Sequence, residues 1–169
     1  ASGDSTAGKA ADKPALPAAF AADGAGTALA ISADGGGVAV DSGDAKAAVS
    51  VPAGAAEAGA TWTVIPLASA PKLAVGALCP GVYVDTAGKE PSAPCSIGFS
   101  LPGTASPDAC IVKLAEDGSI AEVMATTRVE TGGRTLLTAY VDGFSAYTTA
   151  EEDAAARDQA FVDRAKARG

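Results

Sequence analysis

Three cysteines, a scatter of acidic side chains and one glycine-rich run are what this chain offers for chemistry. Histidine is absent from all 169 residues. The commonest general base and the commonest transition-metal ligand are therefore both missing. Cys79, Cys95 and Cys110 share no C-x-x-C spacing, which argues against a zinc or redox motif. Asp41, Asp44, Glu57, Asp85 and Glu90 fall between short apolar runs, on expected loops. Carboxylates are the hard oxygen donors calcium takes, but no D-x-D-x-D run gathers them. Catalysis by paired acids needs two in one cleft, and the spacing nominates no pair. Residues 33–37 (ADGGG) have the glycines of a phosphate loop without the Lys-Ser/Thr that completes it. They read as a turn leading into a strand. The residues thus predict no catalytic site, no cofactor and no metal site.

Charge narrows the partners. Acidic residues outnumber basic ones by 20 to 12, for a net charge of −8. That balance offers no basic footprint for nucleic acid and disfavours an anionic membrane surface. No stretch approaches the roughly 20 apolar residues of a membrane span. The opening residues lack a basic and then apolar leader, which reads as the trimmed start of an exported protein.

The elements that would hold these residues are strands. Residues 1–26, rich in Ala, Gly, Asp, Ser and Pro with Phe20 as their one aromatic, bury too little to offset chain entropy and predict a flexible, disordered spacer. From 27 to 150 short runs alternate and turn. Thr61–Leu67 (TWTVIPL) is the strongest strand signal, with Trp62 and Val64 facing one way. Pro66 marks an edge or a strand end. Cys95–Leu101 (CSIGFSL) alternates cleanly. Glu116–Ser119 (EDGS) is a hairpin turn, followed by strands over 120–126, 135–141 and 145–149. Strands recurring every 8 to 15 residues or so predict an all-β, two-sheet antiparallel sandwich of immunoglobulin-like type. Over 151–169, acids in the first turn and bases in the last, with Thr149 as the cap, predict a short C-terminal helix.

The cysteines admit two readings. If 82–85 pairs with 95–101, and 95–101 with 110–114, then Cys79 and Cys110 meet at one end of the sheet. Flat in one sheet they would still be about 9 to 10 Å apart, beyond a disulfide's reach, unless loops or a change of sheet close the gap. A Cys79–Cys110 disulfide with Cys95 buried is one expectation; three buried thiols are the other. A disulfide would imply an oxidising compartment.

The order of motifs resembles a known family. Gly36–Val40 (GGVAV), Ala48–Ala55 (AVSVPAGA) and Ala60–Leu67 (ATWTVIPL) are similar to the ZU-type β-sandwich, named for zonula occludens and netrin-receptor proteins and found in bacterial surface proteins. Gly81–Tyr83, Pro94–Pro102 (PCSIGFSLP) and Tyr140–Tyr147 (YVDGFSAY) resemble its later strands. The resemblance spans residues 32–149. It implies a non-catalytic interaction or spacer module. Some members of that wider family cut themselves between Phe and Ser in a His-Phe-Ser motif, the Ser hydroxyl attacking the preceding carbonyl. Here the matching residues are Gly143, Phe144 and Ser145. Glycine stands where the family has histidine, so no self-cleavage is expected.

The functional expectation is an extracellular structural or protein-interaction module, adhesive or spacing, of an exported bacterial surface protein or lipoprotein, with an unidentified protein partner. The alternative is a sandwich that binds a glycan or calcium. Trp62, Tyr83, Tyr140 and Tyr147 are the aromatics a glycan would use; each fits a half-buried strand position better. A buried Trp62 favours the interaction module and an exposed one the ligand binder.

Overall fold

The computed structural model describes residues 16–71 and 76–151. Eleven strands form there: β1 (Thr27–Ala30), β2 (Gly36–Ser42), β3 (Ala45–Val51), β4 (Thr61–Pro66), β5 (Val82–Asp85), β6 (Cys95–Pro102), β7 (Ala109–Leu114), β8 (Ile120–Val123), β9 (Thr127–Thr131), β10 (Arg134–Val141) and β11 (Ala146–Glu151). They make two sheets. One has five strands in the order β9-β10-β6-β3-β2, the other six in the order β1-β4-β5-β11-β7-β8. All pairings between named strands are antiparallel. The expected all-β, two-sheet architecture is therefore present. Among the described residues no helix is long and apolar enough to cross a membrane.

Period-two burial builds the interior. In β6, Cys95, Ile97, Phe99 and Leu101 are buried and the residues between them are not. β3 alternates in the same way over its whole length. Val49, Ile97, Phe99 and Leu137 from the five-stranded sheet meet Trp62, Val64, Ile111 and Tyr147 from the six-stranded one in a shared core. Alternation sends one set of side chains to that core and its complement outward.

The six-stranded sheet is covered on its other face as well. Cys110, Val112, Leu114, Val123, Ala146 and Ala150 form a second apolar cluster there, closed by Phe20 and Leu67. That is why β7 is buried at five of its six positions: a strand covered on both faces reads as a continuous apolar run.

Phe20 also corrects an expectation. The described part of the supposed spacer is docked. Phe20 is buried beside Tyr83, Asp23 N–H donates to Pro66 O (2.8 Å) and Ala68 N–H to Ala21 O (2.8 Å). One aromatic suffices because the sheet beneath it already presents an apolar face. Residues 1–15 of the spacer lie outside the described residues.

Three further expectations change. The hairpins joining 82–85 to 95–101, and 95–101 to 110–114, do not form. β5 and β7 lie in the six-stranded sheet and β6 in the other, because the chain crosses between sheets after β5 and again after β6. The 120–126 strand stops at Val123, and the chain changes sheets to enter β9, which pairs with β10. Thr149 is no helix cap: it is fully buried in β11, opposite Ile111. The helix expected over 151–169 lies outside the described residues, apart from Glu151, which ends β11.

Candidate functional site

The Gly143-Phe144-Ser145 segment turns the chain from β10, in one sheet, to β11, in the other. Four hydrogen bonds hold that turn. Phe144 N–H donates to Glu90 Oε1 (2.8 Å), and Thr86 Oγ1 donates to Glu90 Oε2. Tyr147 O–H donates to Gly143 O (2.7 Å), reaching back four residues in the manner of a tyrosine corner. Val84 N–H donates to Ser145 O (2.9 Å). The Phe144 ring stands edge-on to Trp62 (centroids 5.3 Å apart) and to Tyr147 (6.3 Å). Such edge contacts add roughly 0.5–1.5 kcal/mol each beyond burial.

Ser145 Oγ is buried and has no hydrogen-bond partner among the described residues. The nearby carboxylate of Glu90 is already engaged by Thr86 and the Phe144 amide. A Cβ on residue 143 would sit 3.1 Å from Glu90 Oε1, so the carboxylate would have to give by a few tenths of an ångström to admit one. Trp62 Nε1 is the other buried polar atom without a partner among the described residues. Burial, then the carboxylates of Glu122, Glu90 and Asp142, push the Tyr147 phenol above its ordinary range.

The thiols are buried and no disulfide joins them, so the expected Cys79–Cys110 pair is not formed. β11 lies between the two cysteines. On one side Leu78 N–H donates to Thr149 O (2.8 Å) and Glu151 N–H to Gly76 O (3.0 Å); on the other, Ala150 pairs with Cys110. Two strand spacings are about 9–10 Å, beyond the Cα separation of about 7 Å that a disulfide spans. The two also face opposite ways, Cys79 into the shared core and Cys110 into the second cluster. Cys79 Sγ lies 3.4 Å from the hydroxyls of Thr148 and Thr149, and Cys110 S–H donates to Ala150 O (3.7 Å). Burial raises the Cys95 thiol above its ordinary value.

The loop carboxylates are dispersed. Asp41 pairs with Lys46 (2.8 Å) and Glu57 with Lys89 (2.9 Å). Each lysine, by its hydrogen bond and then its charge, holds its partner's carboxyl below the usual range. Asp85 accepts the Ala87 amide (2.9 Å), and the Asp44 carbonyl accepts from Arg134 (3.1 Å). Among the described residues no three Asp, Glu or Cys side chains come together as a metal site would need. One open cleft of about 440 Å³, lined by Asp23, Thr27, Ala39, Val40, Asp41, Lys46 and Pro66, runs where β2 meets the start of β1. It adds Asp23, which the sequence reading did not single out, to Asp41.

The aromatics sort by face. Trp62 is fully buried, Tyr147 nearly so, and Tyr83 is half-buried under Phe20. Tyr140 is 75% exposed on the outer face of the five-stranded sheet, against the half-buried position expected for it. No family model, curated protein or solved structure matches this chain.

Proposed function

We propose that this chain is a non-catalytic, extracellular structural and protein-interaction module, an adhesive or spacing unit of a bacterial surface protein or lipoprotein. Its sandwich is, in this reading, of the immunoglobulin-like, ZU type. The observation that carries the proposal is the use made of Trp62, Phe144 and Tyr147. The corner whose motif resembles a self-cleaving one is packed as an aromatic clasp between sheets, and its serine hydroxyl has no hydrogen-bond partner among the described residues. With that corner given to packing, the outer face of the five-stranded sheet is left for contact. Protease treatment of intact cells that make the full-length protein tests the address. Peptides from 27–150 are expected in the released fraction ahead of any cytoplasmic marker. Protection until lysis would overturn the extracellular reading.

One observation favours the ligand-binding alternative, which is the exposure of Tyr140 beside Ser96 and Thr138 on the outer face of the five-stranded sheet. An aromatic face among hydroxyls suits a sugar ring. Titration of neutral oligosaccharides against the chain and its Tyr140→Ser variant separates the readings. The interaction-module reading expects no Tyr140-dependent heat.

A further inference from the structure

Ahead of β1 the chain lies over the outer face of the six-stranded sheet as a short strap. Residues 21–23 run beside the end of β4: Asp23 N–H donates to Pro66 O (2.8 Å), Ala68 N–H to Ala21 O (2.8 Å), and Ala22 bridges Leu67. The preceding residues cross the sheet. Phe20 is buried in the second apolar cluster, its ring 6.2 Å from that of Tyr83 on β5. Ala19 reaches the β7–β8 turn, where a Cβ on Gly118 would lie 3.4 Å from its own. Leu16 packs half-buried on the same cluster. Of the described residues in that cluster, only Phe20 and Leu16 precede β1.

Two glycines join the strap to β1, both at φ +89°, for different reasons. A Cβ on Gly26 would meet Ile65 Cγ1 and Thr63 Cγ2 at 2.9 Å, so that glycine seats the start of β1 against β4. Gly24 has nothing within 4 Å. It is a turn in open space, and glycine changes its backbone angles at the least steric cost. The strap can therefore swing at Gly24 without disturbing β1. The three thiols divide on the two faces of the sheet that the strap covers. Cys79 and Cys95 belong to the shared core, and Cys110 belongs to the second cluster with Phe20. Cys95 and Cys110 are equally covered, at 0% and 1% exposed, so a reagent reaches either only through an opening. Cys95 sits on β6, between β10 and β3, and exposing it means parting the sheets. Exposing Cys110 asks for the cover of the second cluster to lift.

We propose that residues 16–23 are a gate: the strap opens about Gly24 while the sandwich stays closed, and opening uncovers the second apolar cluster and the Cys110 thiol. Among the described residues the strap is held by one buried aromatic, Phe20, and by the backbone bonds to Pro66 and Ala68. The sheets beneath it are held by a whole interior. Segments with few buried apolar contacts open at the low end of the stability range, well before the molecule unfolds. The strap also keeps its own turn when it leaves, because Phe20 N–H donates to Pro17 O (3.0 Å) within it. Closed, the gate hides an apolar face and a thiol; open, it offers both. The gate is independent of the interaction-module reading and has its own test.

Labelling of the full chain with N-ethylmaleimide, over a series of urea concentrations below the unfolding transition, tests the gate. Fragmentation mass spectrometry locates the label at each cysteine. Urea sensitivity scales with the surface an opening exposes. Lifting a strap exposes little, so the Cys110 rate should be nearly flat in urea. Cys95 should react more slowly, with the steep urea dependence of global unfolding. Phe20→Ala removes the anchor and should raise the Cys110 rate at least about tenfold, still flat in urea. Val129→Ser, exposed on the other sheet, should leave that rate unchanged. Equal rates with equal urea slopes at Cys95 and Cys110 overturn the proposal, and so does a Cys110 rate indifferent to Phe20→Ala. Should Phe20→Ala fail to fold, the urea slopes of the unaltered chain decide between the two outcomes.

Discussion

Ser145 shows how little a residue type decides without its surroundings. The hydroxyl follows Phe144 as a self-cleaving serine would, but it is buried and has no hydrogen-bond partner among the described residues. Mass spectrometry of the denatured chain should find one unbroken polypeptide; fragments meeting between Phe144 and Ser145 would contradict the packing role of this corner. Tyr147 gives the corner a pH signature. Burial, then nearby carboxylates, raise its phenol above the ordinary 10.0, and burial raises Cys95 above 9.0. The folded state therefore keeps protons that the unfolded chain releases at high pH. The stability this represents is fully present below the unfolded values and is lost as pH climbs towards the folded ones. Urea midpoints should hold steady from neutral pH and fall above about pH 9. Tyr147→Phe should lose about 1 kcal/mol at neutral pH, for its bond to Gly143 O, and then decline less steeply. A wild-type midpoint that rises with alkalinity would contradict this. The outward aim of Tyr140 was open to a parity reading. Leu137, Ala139 and Val141 point inward, so the residue between the last two must point out.

Strands lie where period-two patterns are, but a strand's partner is set elsewhere. The CSIGFSL and TWTVIPL runs predict β6 and β4 almost residue for residue. The hairpins supposed around β6 fail because alternation fixes which side chains are buried and says nothing of which sheet receives the strand. β9 escaped notice because TRVET has one apolar residue, at an exposed edge. The docking of Phe20 depends on an outward apolar face on β7 and β11 that no local window displays. Gly81 marks the join between β5 and β11. Its φ is +93°, and an added Cβ would lie 2.7 Å from Tyr147 O and 2.9 Å from Thr148 Cβ. Gly88 has φ +81° with nothing within 4 Å. Gly88→Ala should cost about 1 kcal/mol, the left-handed backbone penalty alone. Gly81→Ala, which adds a backbone clash, should cost on the order of 2–3 kcal/mol. Equal losses in urea denaturation would mean that β11 is not seated against Gly81 as described.

At the scale of the molecule, the two sheets differ in what they show to solvent. The six-stranded sheet is closed on one side by the shared core and on the other by Phe20 and Leu67. Among the described residues, the five-stranded sheet leaves its outer face open. Acidity keeps such a body soluble while that face stays nearly neutral. The claim beneath all of this is that two sheets close over one interior, with Cys79, Cys95 and Phe144 sealed inside. Amide hydrogen exchange on the intact chain tests it most directly. The slowest amides should belong to β6, β3, β10, β7 and β11, each with a strand on both sides. The edge strands β1, β2, β8 and β9 should exchange far faster, because edge and local openings lie at the low end of the stability range. Protection of 95–102 no greater than that of 127–131 would contradict the account.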